Sequence, residues 1–327
     1  MSKLETLRNE DQNGIKYSSE QLIQCHQRIV PYIHNTPILT SESINEIVEA
    51  NLYFKCENFQ KTGAFKMRGA VNAILQLTEK QKKKGVVTHS SGNFAQALAL
   101  AAKYTSVRAF IVMPSTALQI KKEAVLRYGG NIIECENTLQ ARVETADQIV
   151  KDRNATFVHP SNNINVVLGQ GTACMELLEI HPDLEFVFTP VGGGGLVAGT
   201  ALSALHFGKE CKVIGGEPFE VDDAFRSLIS GVIESNISTE TIADGLRTKL
   251  GDMTFPIIQQ YVDRIIRVTE EEIVKAMRLI WERMKIIIEP SSAVAVAALI
   301  REKQSFKNKK IGIIISGGNV DLNNLPF

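Results

Sequence analysis

The sequence has no surplus of either charge: 36 Lys and Arg stand against 36 Asp and Glu in 327 residues. Without a net positive field there is nothing to draw nucleic acid or an anionic membrane surface to the chain. Cysteine is scarce. The five thiols, Cys25, Cys56, Cys135, Cys174 and Cys211, form no C-x-x-C pair and stand at no zinc spacing from histidine. An odd, scattered set reads as reduced thiols in a cytoplasmic protein. Uninterrupted apolar runs of membrane-spanning length are missing, and the polar opening MSKLETLRNEDQNGIK lacks the apolar centre of a secretory signal. What the chain does have is a 44% apolar content, enough for a large interior. Its length is more than one compact core usually takes, which predicts two lobes.

Residues 1–17 read as a loose extension. Ser18 and Gln21 then make a capping box before a helical stripe of Leu22, Ile23, Ile29 and Val30. From LYFKC (52–56) onward, short apolar strands alternate with helical stretches: GVVTH (85–89), RAFIVM (108–113), NIIEC (131–135), TFVHP (156–160), FVFTP (186–190), VIGGE (213–217) and IGIIIS (311–316). Helices are expected at 93–103, up to 128, up to 150, at 172–180, at 270–284 and at 291–303. Fully apolar strands between amphipathic helices predict parallel sheets covered on both faces, an α/β architecture.

Four stretches carry chemistry. PVGGGGLVAGT (190–200) runs from a strand into a helix, so glycine N–H groups and the helix dipole can meet an anion. A phosphate cradle is one reading. Gly193-x-Gly195-x-x-Ala198 also satisfies a relaxed dinucleotide fingerprint with Glu217 as ribose acid, and a bare tight turn is a third reading. THSSGNFAQA (88–97) brings Ser90, Ser91, Gly92 and Asn93 to a second strand-to-helix turn, suited to a carboxylate or merely a cap at Ser90 or Ser91. IIISGGNVD (313–321) places Ser316 at the C-terminal edge of a sheet. In KTGAFKMRGA (61–70), Lys61 and Arg68 read as surface charges, but Lys66 lies between Phe65 and Met67, where it is either a snorkelling lysine whose stem covers apolar surface or a buried, neutral, nucleophilic amine. A phosphate cradle, a carboxylate loop, a hydroxyl at a sheet edge and an apolar-flanked lysine together describe a pyridoxal phosphate site.

The same stretches, with GQGT (169–172), TIADG (241–245) and the ERMK and IEP of 282–290, resemble the serine/threonine dehydratase and serine racemase family, from about residue 21 to 321. The resemblance implies the tryptophan synthase β-like fold (fold type II of pyridoxal phosphate enzymes), with two lobes of parallel-rich twisted sheets covered by helices. The large lobe would take 18–79 and 161–327, and the small lobe 80–160. It implies that Lys66 holds the cofactor, with Phe65 beside the ring and Asn93 at the ring hydroxyl. Gly192, Gly193, Gly194 and Gly195 would take the phosphate and Ser316 the pyridine nitrogen. Ser90, Ser91, Gly92 and Asn93 would take the carboxylate of an amino-acid substrate. Glu217, Asp223 and the Val221 carbonyl resemble a divalent cation site, which suits Mg²⁺ or Ca²⁺.

The implied activity is β-elimination of L-serine or L-threonine to a keto acid and ammonia, with racemisation of serine where Ser91 can act as the acid opposite Lys66. Members specialised for threonine commonly carry alanine at this place. The family's usual histidine is replaced by Phe94. Arg142 stands where the distal carboxylate of 3-hydroxyaspartate would be read, which implies a 3-hydroxyaspartate dehydratase as an alternative. A nicotinamide-dependent oxidoreductase would use the glycines and Glu217 but leave Lys66 and SGGN without a task. A homodimer is also implied.

Overall fold

The structure, a computed structural model, describes residues 17–117 and 119–327. Of the expected N-terminal extension only Tyr17 falls among them. Two sheets organise these residues. The larger runs β1 (Ile38–Leu39), β2 (Asn51–Cys56), β10 (Lys310–Ile315), β7 (Phe186–Pro190), β8 (Lys212–Pro218) and β9 (Val262–Val268) in spatial order. The smaller runs β5 (Asn131–Cys135), β4 (Ala109–Pro114), β3 (Val86–His89) and β6 (Thr156–Phe157). Every pairing is parallel except β1 with β2. The central strands are buried almost throughout, as strands covered on both faces must be.

Helices cover the sheets because their apolar faces have nowhere else to go. The Ser18–Gln21 capping box forms as the sequence predicts, at the start of the helix Ser19–Ile29. The helix expected at 172–180 is longer, Ile164–Ile180, and begins at an Asn163 cap. Its GQGT segment serves packing: a Cβ on Gly169 would come within 2.5 Å of Gly69 Cα, so this helix and Lys66–Leu75 touch backbone to backbone. All five cysteines are free. Among the described residues no helix is long and apolar enough to cross a membrane.

Arg68 departs most from its sequence reading. It is fully buried. Its guanidinium donates to both oxygens of Glu57 (2.7 and 2.8 Å), both of Glu176 (2.7 and 2.8 Å) and the Thr172 hydroxyl (3.1 Å). Lys55, also buried, lies 2.6 Å from Glu176, and His26 lies 3.0 Å from the same carboxylate. Burial works against the charge on Glu176, but His26, Arg68 and Lys55 outweigh it and hold the carboxyl well below its ordinary range. The helix carrying Lys66 is therefore anchored two residues on by paired, desolvated charges.

Candidate active site

The first and last chemical stretches are sewn together by main-chain bonds. Phe65 N–H donates to the Ser316 carbonyl (3.0 Å) and Gly318 N–H to the Gly63 carbonyl (2.9 Å), and Asn319 Nδ2 donates to the Thr62 carbonyl (2.7 Å). Lys66 and Ser316 are thus neighbours although 250 residues separate them. Ser316 is buried, its hydroxyl 2.9 Å from that of Ser292, which in turn accepts from Gly317 N–H at 2.7 Å. Ser292 orients Ser316. Nothing local in the sequence marks it.

Lys66 opens the helix Lys66–Leu75, with Phe65 before it as the cap residue. Its half-buried amine donates to the Pro160 carbonyl (3.1 Å) and lies 4.9 Å from the Phe65 ring centroid and 5.8 Å from that of Phe94. Burial pulls its pKa down to about 8, against the opposing charge of Glu289. The next residue along, Ser161, lies against the glycine turn: a Cβ on Gly193 would come within 2.3 Å of Ser161 Oγ. So 160–161 joins the amine to the four glycines. That turn is closed by Gly194 at φ +82° and leads into the helix Gly195–Phe207. The first-turn N–H groups of any helix have no intrahelical acceptor, and here the glycines let Ser161 and Thr254 pack close against the turn, where side chains at 193 and 194 would collide with them. A methyl on Gly194 would fall 2.7 Å from Thr254 Oγ1 and 2.9 Å from Leu250 Cδ2. The arrangement fits a phosphate.

The loop of Ser90, Ser91 and Gly92 follows β3 and is half-buried. The cap of the helix Asn93–Tyr104 is Gly92, with no side-chain cap bond, so neither Ser90 nor Ser91 is used as a cap. Both hydroxyls are left to the loop, where Gly92 N–H approaches Ser90 Oγ at 3.4 Å. A Cβ on Gly92 would meet no atom within 4 Å. Asn93 Nδ2 donates to Glu289, and its Oδ1 accepts from Asn319 (3.0 Å). His159 Nδ1 accepts from the N–H groups of Ser161 (3.2 Å) and Asn162 (2.8 Å), which shapes the segment under Lys66. Burial pushes its pKa down to about 4, so it stays neutral. Arg142, on the helix Leu139–Arg153, has its Nε buried with no partner, and its charge is felt at His89, next to Ser90.

Glu217 lies at the C-terminal end of β8, fully buried. Its two oxygens accept from Ala224 N–H (3.1 Å) and Phe225 N–H (2.8 Å), so it is turned onto its own loop rather than offered to a ribose. Burial and neighbouring Asp223 push its pKa well up. Burial likewise raises Asp223 to about 6. One Asp223 oxygen accepts from Leu250 N–H at 2.9 Å, and the other is buried without a partner. Val221 is buried in the turn Phe219–Val221 between them. Among the described residues no three His, Cys, Asp or Glu side chains converge on a metal position. The Leu250 bond ties Asp223 to the segment that packs on Gly194.

The structure therefore brings Lys66, Phe65, Asn93, Ser316 and the glycines into one connected set, with the 90–92 loop leading into Asn93. It adds Glu289, Ser292 and His159. The chain matches the family of pyridoxal-phosphate-dependent enzymes over residues 29–317. It is 50% identical to serine racemase of Dictyostelium discoideum over 308 residues, covering 92% of this chain and 94% of that one. It is 45% identical to beta-hydroxyaspartate dehydratase of Paracoccus denitrificans, with coverage of 94% and 98%. Among solved structures, a threonine deaminase from T.th. is similar with a TM-score of 0.89 at 38% identity, covering 94% of this chain and 99% of that one. With this site on a fold type II scaffold, the chain belongs to the pyridoxal-phosphate-dependent serine/threonine dehydratase and serine racemase family.

Proposed function

We propose that the protein interconverts the enantiomers of serine and also eliminates water from L-serine or L-threonine to give a keto acid and ammonia. The observation that carries this reading is the Lys66 amine, held at the Pro160 carbonyl against the glycine turn, together with a serine rather than an alanine at 91. The glycine turn, Asn93 and Ser316 would hold pyridoxal phosphate, which supplies the electron sink that makes the substrate Cα–H acidic. Residues 90–92 bind the substrate carboxylate through N–H groups and hydroxyls. Lys66, with its pKa lowered by burial, removes the Cα proton from one face. The Ser91 hydroxyl returns a proton from the other face, which inverts the centre. When the β-hydroxyl leaves instead, it takes up the proton that Lys66 removed from Cα and departs as water, and hydrolysis of the remaining unsaturated amine gives the keto acid and ammonia.

A divalent cation, Mg²⁺ or Ca²⁺, is assigned to Glu217, Asp223 and the Val221 carbonyl, supported by two buried carboxylates side by side and the unpartnered Asp223 oxygen. The four-stranded sheet is assigned to a small lobe of 80–160. A cytoplasmic homodimer completes the reading, testable by light scattering and fractionation.

The test is L-serine turnover read for both D-serine and pyruvate, in wild type and Ser91→Ala. Racemisation should fall at least about a hundredfold, the usual scale for a lost acid or base, while elimination stays within a few-fold. Equal loss of both would remove Ser91 from its role. A second reading, dehydration of 3-hydroxyaspartate, is favoured by the buried, unpartnered Arg142 Nε beside the 90–92 loop. Oxaloacetate formation from that substrate decides it.

A further inference from the structure

Lys66, Ser91 and the loops around them leave one buried carboxyl without a task. Glu289 is 4% exposed and stands before the helix Pro290–Arg301, yet its side chain does not cap that helix. Both of its oxygens accept from Asn93 Nδ2, at 2.9 and 3.1 Å, and Asn319 adds a main-chain N–H. Oε1 lies where a Cβ on Gly317 would come within 2.9 Å, beside Ser316. That Cβ position is also 3.0 Å from Ala64 Cβ, two residues before Lys66, so the carboxylate stands beside the start of the helix Lys66–Leu75, where the Lys66 amine feels its charge. Two further charged groups face it from other elements, Asp244 in the turn Asp244–Leu246 and Lys121 on the helix Gln119–Arg127, paired with each other at 2.7 Å and opposite in effect.

A primary amide can present either its oxygen or its nitrogen to a ligand, and only its neighbours decide which. At Asn93 the decision is made on both sides: a carboxylate takes the NH₂, and the Asn319 amide donates to the oxygen. A carboxylate in a dry pocket also favours the charged form of a nearby amine. We infer that Glu289 is a positioning residue of the active site, fixing the Asn93 amide through both carboxylate oxygens and supplying the counter-charge against which Lys66 gains and loses its proton. This rests on Lys66 being the amine that holds the cofactor. Glu289 itself is raised by burial to about 7, so its grip on Asn93 weakens as pH falls through neutrality and one oxygen becomes a hydroxyl.

The test uses Glu289→Gln, which keeps the shape and removes the charge, and Glu289→Asp, which keeps the charge. In the apoprotein, carbamylation of Lys66 by cyanate is followed against pH by peptide mass spectrometry. The Lys66 midpoint should fall by about one unit in Glu289→Gln and stay near the wild-type value in Glu289→Asp. An unmoved midpoint in a folded Glu289→Gln protein overturns the inference. The reciprocal measurement does not depend on that variant folding. With the charge removed in Lys66→Met, the Glu289 carboxyl band in infrared titration should move up in pH by a similar amount, and no movement again overturns it. Borohydride reduction of the holoenzyme separates the two ideas. A pyridoxyl group on a residue other than Lys66 overturns the inference through the reading beneath it, whatever the coupling measured between 66 and 289.

Discussion

Replacing Arg68 by methionine tests whether the buried ion network holds up the helix Lys66–Leu75. In the folded chain two cations, Arg68 and Lys55, face two carboxylates, Glu57 and Glu176, with almost no solvent access. Methionine fills much of the volume but leaves Glu176 to Lys55 and His26, while Glu57, among the described residues, keeps only the Thr36 hydroxyl, 2.5 Å away, as a side-chain partner. Removing one member of a buried ion pair typically costs about 3–5 kcal/mol, because the other charge stays desolvated. At about 2–3 °C per kcal/mol for a large domain, the melting temperature should drop by roughly 6–15 °C. The pH dependence carries the sign. The Glu176 pKa is depressed in the fold, so its contribution is present above the ordinary carboxylate range and is lost as pH falls below it. The gap between wild type and variant should therefore narrow in acid. Circular dichroism melts from pH 8 down to about 2, past the ordinary carboxylate range, measure this. A loss under about 1 kcal/mol, or a gap that widens in acid, refutes the account.

Three further outcomes follow from the site. Gly194→Ala places a methyl 2.7 Å from Thr254 Oγ1 on a residue at φ +82°, so pyridoxal phosphate affinity in apoprotein reconstitution should fall by at least about tenfold, roughly 1–3 kcal/mol of strain; unchanged affinity would contradict the cradle. Burial raises both Glu217 and Asp223, Asp223 to about 6, so the fold is penalised as pH rises toward that value and Asp223 ionises, a penalty that a bound cation would relieve. Mg²⁺ should accordingly raise the melting temperature more at pH 8 than at pH 5.5, and Asp223→Asn should abolish the difference. Arg142→Met should lower kcat/KM for 3-hydroxyaspartate by about 1.5–3 kcal/mol, the value of a charged hydrogen bond, with little effect on serine.

What the sequence showed of the fold depended on how local each signal was. FVFTP and NIIEC are apolar runs between turns, and they are strands with those bounds. The helix Ile164–Ile180 was legible only in its second half, because INVVLGQG has two glycines and no polar face. The strand β9, VDRIIRV, went unread because its charged residues interrupt the apolar run. Arg68 was misjudged because its partners lie 11 and 108 residues away, beyond any local pattern. Glu289 carries no local sign of a role in its IEP segment, since its meaning depends on Asn93, 196 residues distant. The burial of the Lys66 amine was legible because its apolar neighbours are adjacent in sequence.

The position of β10 has a consequence for synthesis. It is the last strand to be made, yet it lies between β2 and β7, pairing Ile311 with Leu52 on one side and Phe186 on the other. Until residue 315 has left the ribosome, the larger sheet is two separate pieces with open edges, whereas all four strands of the smaller sheet are already available by residue 157. Non-local parallel pairing of this kind is slow and leaves strand edges bare. A nascent chain must therefore wait, with Lys66 already made, for a final strand that joins the sheet and delivers Ser316 beside it.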